Sequence, residues 1–127
     1  MLLVLAAAFA APSNDLCSAL QRDVAATAAA ATPSPLPGAT HCESRSSAYV
    51  CTWAASVADA ARFPGAWDSL QSRVDSCRLG HRQVEATDDP EILYPISTWS
   101  STTATIEVRV ADFGDGIELH IKGRPET

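Results

Sequence analysis

The chain is poor in basic residues and has almost no lysine. Only Lys122 is a lysine among nine basic residues, which face fifteen acidic ones and leave a net charge of −6. Nucleic acids and anionic lipid surfaces are bound through clustered Lys and Arg side chains. The composition therefore argues against a nucleic-acid partner and against electrostatic attachment to a membrane surface.

The chain also lacks the short motifs of several kinds of catalytic or ligand site. It contains no C-x-x-C pair, no G-x-S-x-G nucleophile turn and no glycine-rich phosphate loop. Asp112, Asp115 and Glu118 lie beside two glycines, but their spacing does not match a calcium-binding EF-hand loop. We therefore predict no metal and no cofactor, and the sequence assigns no catalytic residue.

No apolar run reaches the ~20 residues that a membrane-spanning helix needs. Residues 1–11 read MLLVLAAAFAA, and Ala8-Phe9-Ala10 fits the pattern that precedes signal-peptidase cleavage. The usual N-terminal Lys or Arg is missing, and a buried N-terminal helix is the alternative. We predict a signal peptide over 1–11 and a single domain over 12–127. That domain would be exported to a bacterial periplasm or secreted, with no membrane insertion after the leader is removed.

Four cysteines behind such a leader predict two disulfides. They are Cys17, Cys42, Cys51 and Cys77. If the first helix, the first strand and the second helix run up, down and up, Cys17 approaches Cys51 and Cys42 approaches Cys77. A 20-residue helix and a strand of nine or ten residues both span about 30 Å, so the lengths match. The odd spacing of Cys42 and Cys51 then requires a bulge within 43–47 or a Cys42 that precedes the strand. We prefer that pairing, and the same geometry excludes Cys17–Cys77. A local Cys42–Cys51 loop is the competing alternative.

Apolar residues recur at helical spacing in two segments, at Leu16, Leu20 and Val24 and again at Trp67, Leu70 and Val74. The first predicts a helix of about four turns, which ends at a proline-rich connector over 32–40. The second predicts a helix whose better-formed part begins near Pro64, a residue tolerated in the first helical turn.

Alternating residues predict strands in the rest of the chain. Residues 48–54 read as a strand covered on both faces, residues 81–87 as a weak strand, and residues 97–103 as irregular. In the C-terminal part, Ile106, Val108 and Val110 lie on one face of a strand and Ile117, Leu119 and Ile121 on one face of the next. Residues 113–116 (Phe-Gly-Asp-Gly) supply the hairpin turn.

The register of this hairpin follows from its charged residues. Pairing Val110 with Ile117 places Arg109 opposite Glu118, and the same register places Glu107 opposite His120. A shift by one residue would mix apolar and charged faces. We predict an α+β fold, in which two helices pack on one face of a small antiparallel sheet of three or four strands. The sheet would end in the C-terminal hairpin and the fold would be stapled by disulfides.

Trp99 is the residue that most suggests a binding role. It lies in a polar run close to Tyr94, where an exposed aromatic side chain would anchor an interface. The predicted binding residues are Tyr94, Trp99, Arg109, Glu118 and His120. We expect a small non-enzymatic binding or accessory domain whose partner is an unknown protein or envelope component. The alternatives are a small secreted hydrolase with a cleft beside the sheet, and a purely structural protein.

Overall fold

Two helices and six strands follow one another along the chain in a computed structural model, which describes residues 11–123 and side chains from residue 15 onward. Their bounds are α1 Ala11–Ala28, β1 His41–Arg45, β2 Ala48–Ala54, α2 Phe63–Ser76, β3 His81–Val84, β4 Ser97–Ser100, β5 Ala104–Val110 and β6 Gly116–Gly123. Residues 1–10 of the expected signal peptide lie outside the described residues, so the leader stays a prediction.

The six strands form one antiparallel sheet in the order β1-β2-β6-β5-β4-β3. The α+β class and the disulfide stapling are therefore confirmed, whereas the expected three or four strands are wrong. The extra strands are β1, taken as part of a longer strand, and β4, expected to be irregular.

The segment between Cys42 and Cys51, expected to belong to one strand, is in fact the first hairpin of the sheet. The chain reverses at Ser46-Ser47, and Ser46 takes the left-handed backbone conformation with φ 42°. Tight hairpin turns of this kind usually carry Gly, Asn or Asp. Their absence here removed the local signal, and so the sequence predicted one strand where the structure has β1 and β2.

β4 is short and rich in hydroxyl side chains, which explains why residues 97–103 were expected to be irregular. It nevertheless alternates, with Ser97 and Trp99 buried and the residues between them partly exposed. β3 pairs with it from His81 onward. A Cβ on Gly80 would lie 2.7 Å from the carbonyl oxygen of Ser100, so glycine permits the chain to enter β3 this close to β4.

The predicted register of the C-terminal hairpin is confirmed. Val110 lies opposite Ile117, Arg109 opposite Glu118 and Glu107 opposite His120. The apolar residues of both strands thereby share the face that the helices cover.

The core lies between that face and the two helices. Its helix side comes from α1 and α2 and its sheet side from β2, β4, β5 and β6. Fully buried members include Leu16, Leu20, Phe63, Val74, Ile106, Val108, Leu119 and Ile121. Each such side chain contributes about 1.5–3 kcal/mol relative to an exposed position.

The disulfide pairing differs from the preferred one: Cys17 is joined to Cys77 and Cys42 to Cys51. The chain between the two helices forms two antiparallel strands, β1 and β2, and not one strand. It therefore reverses direction one additional time before α2 begins. The start of α1 consequently lies beside the end of α2, which brings Cys17 to Cys77. Cys42 and Cys51 face each other across the first hairpin, with their Cα atoms 4.0 Å apart.

Candidate functional site

The sheet face that points away from the helices is covered with charged side chains. We call it the charged face; it comprises His41, Glu43, Arg45, Glu107, Arg109, Glu118, His120 and Lys122. These residues alternate along β1, β5 and β6 with the residues of the core, and therefore point to the opposite side. Val50 of β2 lies beneath them and is only 1% exposed.

Ion pairs within the charged face join neighbouring side chains. Lys122 Nζ donates to Glu107 Oε2 over 2.9 Å, and the Arg109 guanidinium donates to the same carboxylate. His120 Nε2 lies 2.9 Å from Glu118 Oε1. Arg109 and His120 thus bond to carboxylates two residues away on their own strands, and not to the residues directly opposite them.

A second group of ion pairs links β1 to this set. The Arg45 guanidinium contacts Glu43 and also reaches Glu118 Oε2, 3.2 Å from Nη1. His41 Nε2 lies 2.8 Å from Glu43 Oε1. The three carboxylates of the charged face are therefore all engaged by cationic or imidazole side chains.

These contacts change the pKa of the two most enclosed carboxyl groups. Burial alone would raise the pKa of Glu107, but hydrogen bonds from Lys122 and Arg109 outweigh it and hold the pKa below its ordinary value. Burial acts on the pKa of Glu118 in the same way, and hydrogen bonds from His120 and Arg45 lower it overall. Both carboxyl groups are consequently anions at neutral pH.

The structure brings the predicted binding residues Arg109, Glu118 and His120 together on the charged face. They are partly buried and already paired with neighbouring residues. A partner that binds this face would have to break these ion pairs. The free energy lost with them would offset much of the free energy gained from new ion pairs to the partner.

Trp99 does not lie at the surface, so its expected role as an exposed anchor is wrong. It is 1% exposed and belongs to the core. Its Nε1 donates to Asp75 Oδ1 of α2 over 3.0 Å, and the Arg82 guanidinium lies 5.4 Å from its ring centroid. Thr98 and Ser100, the polar residues beside it in β4, are partly exposed and alternate with the buried Ser97 and Trp99.

Tyr94 lies near the N-terminal end of α2, at the wall of an apolar groove. Its ring packs edge-on against Phe63, 4.7 Å between centroids, and against Trp67, 5.5 Å between centroids. The apolar groove has a volume of about 500 Å³ and is lined by Val57, Ala60, Ile92, Leu93, Tyr94 and Val110, with Glu91 at its side. Of the predicted binding residues, Tyr94 is the one that lines it.

Several large apolar side chains around this groove are exposed. Leu93 is 72% exposed, Ile92 43% and Val57 41%. Phe113, 93% exposed, stands at the tip of the β5–β6 hairpin beside Gly114, whose carbonyl accepts a hydrogen bond from the Val57 N–H over 2.8 Å. Sequence reasoning missed these residues because they come from three separate loops, although Ile92-Leu93 within an acidic loop was a visible signal.

Exposed acidic residues occur in the two loops that lead to the apolar groove, and one of them, Glu91, lines it. We call them the acidic rim: Asp88, Asp89, Glu91, Asp112 and Asp115, all exposed. No basic residue occurs in the chain between Arg82 and Arg109. Acidic side chains therefore outnumber basic ones in the loops that form the groove, even with the exposed Arg62 near Ala60, and this favours a positively charged partner.

No helix within residues 11–123 is long and apolar enough to cross a membrane. Over the same residues, no group of three or more His, Cys, Asp or Glu side chains is placed to hold a metal ion. Comparison with protein-family models, with curated proteins and with solved structures found no match.

Proposed function

We propose that this chain is a small exported, non-enzymatic binding or accessory domain, periplasmic or secreted from a bacterium, that holds a protein partner in its apolar groove. The observation that carries the proposal is the exposure of Ile92 and Leu93, two neighbouring apolar side chains that line the groove. Large apolar side chains clustered at a surface mark contact sites in soluble proteins. Full burial of two such side chains by a partner contributes about 1.5–3 kcal/mol each.

The groove is formed before a partner arrives. Tyr94 is held by its edge-on contacts with Phe63 and Trp67, both of which belong to the core. Val57 is tied to the hairpin turn by the hydrogen bond to Gly114. A preformed groove loses little conformational entropy on binding, and this favours affinity.

The groove and its rim together define the chemistry of the partner. The apolar lining suits a segment with bulky aliphatic or aromatic side chains. The acidic rim suits Lys or Arg on either side of that segment, and it would repel an acidic one. The proposed partner is therefore a protein segment with an apolar centre and basic flanks.

The charged face is less suited to the competing function of a hydrolase. A general acid in a hydrolase needs a carboxyl pKa raised towards the working pH. The pKa values of Glu43, Glu107 and Glu118 are all lowered by hydrogen bonds from their neighbours. This is why we prefer binding to hydrolysis.

Export is supported by the covalent structure. All four cysteines are in disulfides, which form and persist outside the reducing cytosol. The leader-like composition of residues 1–11 points to the same compartment.

The experiment is a selection of random peptides displayed on phage against the immobilised disulfide-bonded protein, followed by affinity measurement on synthetic copies of the selected peptides. We expect peptides with an apolar centre and basic flanks, whose affinity falls at least tenfold for Leu93→Ser. Val84→Thr, a substitution at an exposed valine outside the groove, should leave the affinity unchanged. Selected peptides with acidic flanks, or equal affinity for both variants, would contradict the proposal.

A further inference from the structure

β3 is an outer strand of the sheet, and within the described residues it pairs with β4 alone. The N–H of Glu85, just past β3, donates to the Ile96 carbonyl over 2.8 Å and so points towards β4. Backbone groups alternate in direction along an antiparallel strand. The N–H and C=O of Arg82 and Val84 therefore point outward, away from the sheet.

This edge has little protection against pairing with another strand. Proteins usually keep outer strands short, cover them, or place charged side chains, proline or bulges on them. β3 is short and carries Arg82, but it contains no proline. All four residues of β3 are exposed, and Val84, a β-branched apolar residue, is 51% exposed.

There is also room beside the edge on both faces of the sheet. On the helix side a groove of about 490 Å³ separates α2 from β3, with Gln71 and Val84 in its walls. On the other side a depression of about 610 Å³ is lined by Gln83, Glu85 and Arg109 among others. Side chains of an added strand point alternately to the two faces, and each face offers space for them.

We propose that β3 pairs with β3 of a second copy of this chain, antiparallel and about a two-fold axis at Gln83. In this register Arg82 lies opposite Val84 of the second copy, and Val84 opposite its Arg82. Each of these two pairs exchanges two backbone hydrogen bonds, so four are formed in total. The two sheets become one continuous sheet with all helices on the same face.

Side-chain charge selects this register. His81 lies opposite Glu85 of the second copy, twice by symmetry, which makes two imidazole–carboxylate pairs. Centring the axis on Arg82 would oppose two guanidinium groups, and centring it on Val84 would form no such pair. A slip by one residue would place charged-face residues beside helix-face residues, which the alternation forbids.

Sedimentation equilibrium of the disulfide-bonded protein over a wide concentration range tests the pairing. We expect a reversible monomer–dimer equilibrium that weakens at least tenfold in Val84→Pro, because proline removes an outward N–H. An outer strand tolerates that change within the monomer, because this N–H takes no part in pairing with β4. Val84→Thr keeps the N–H and the branched side chain and should dimerise like the natural chain. A monomer at all concentrations, or a dimer equally strong in Val84→Pro, would overturn the proposal.

Cysteine cross-linking tests the register independently. In the proposed dimer residue 83 faces its own copy, so Gln83→Cys should form a disulfide-linked dimer in a redox buffer. Glu85→Cys, whose residue faces position 81, should stay largely uncross-linked. Cross-linking of Glu85→Cys alone would overturn the register. The test is distinct from that of the proposed function, because a dimer formed through the apolar groove would be lost in Leu93→Ser and kept in Val84→Pro.

Discussion

Trp99 Nε1 donates a hydrogen bond to Asp75 Oδ1 across 3.0 Å, joining the middle of β4 to the last turn of α2. The indole ring is enclosed by the core, and its polar N–H meets a carboxylate at the helix surface. Buried tryptophan usually needs such a partner for its N–H. The residue that most resembled an interface anchor in the sequence therefore holds helix and sheet together.

Trp99→Ala should lower the free energy of unfolding by about 3–5 kcal/mol, since it removes a large buried side chain. Trp99→Phe keeps a ring but loses the hydrogen bond, and should have a smaller effect. Chemical denaturation followed by circular dichroism measures both. A Trp99→Ala protein as stable as the natural chain would show that the side chain is not part of the core.

The two disulfides should differ in their contribution to stability. The chain-entropy relation gives about 4 kcal/mol for the Cys17–Cys77 link, whose residues are 60 apart, and about 2.5 kcal/mol for Cys42–Cys51, 9 apart. We expect the Cys17→Ala, Cys77→Ala double variant to be the less stable of the two double variants in urea titrations. The reverse order would contradict the assignment of the longer link as the main constraint on the unfolded chain.

Acid should destabilise the protein through the charged face. Because the folded-state pKa values of Glu107 and Glu118 are lowered, their contribution is present above the ordinary carboxyl pKa of ~4.3 and is lost as the pH falls through the lowered values. Glu107→Gln should flatten the acid limb of a plot of unfolding free energy against pH. Glu91→Gln, at an exposed loop glutamate, serves as the control, and an equal effect of the two variants would refute this origin.

Asp23 should fix the start of the proline-rich connector to α1. Its carboxylate is fully buried, and Oδ1 accepts hydrogen bonds from the Ser34 N–H and Arg22 Nε, each over 3.0 Å. Asp23→Ala should lower the unfolding free energy by about 1–3 kcal/mol. Asp23→Ala should also speed hydrogen exchange at the Ser34 amide, which loses its acceptor. Asp23→Asn keeps a side-chain oxygen as acceptor, and the Ser34 amide should stay protected in that variant. Unchanged exchange in Asp23→Ala would mean that the connector is held by other contacts, such as the buried Leu36.

The parts of the fold that the sequence predicted are those with a strong local pattern. The stripes of α1 and α2 and the alternation of β5 and β6 each reveal a face that must be buried. The hairpin register followed because it pairs Arg109 with Glu118 and Glu107 with His120, and because a shift by one residue would mix apolar and charged faces. These features depend on neighbours in sequence or on a single short turn.

The parts that the sequence did not reveal depend on weak turns or on distant contacts. Ser46 takes the left-handed conformation without glycine or asparagine, so the sequence contained no sign of the turn. Without that turn β1 was not predicted as a separate strand, and the wrong disulfide pairing was preferred. The apolar groove is assembled from Val57, the Ile92-Leu93 loop and Val110. No local sequence pattern predicts such a site, because its residues are far apart in the chain and come together only in the folded sheet.

The claim on which the rest depends is that the chain folds outside the cytosol with Cys17 joined to Cys77 and Cys42 to Cys51. Non-reducing peptide mapping by mass spectrometry, on protein exported from a bacterial host, tests it most directly. We predict a mature N-terminus near residue 11 and cross-linked peptides for these two pairs only. Retained Met1, free thiols at these positions, or a Cys17–Cys51 peptide would contradict the account.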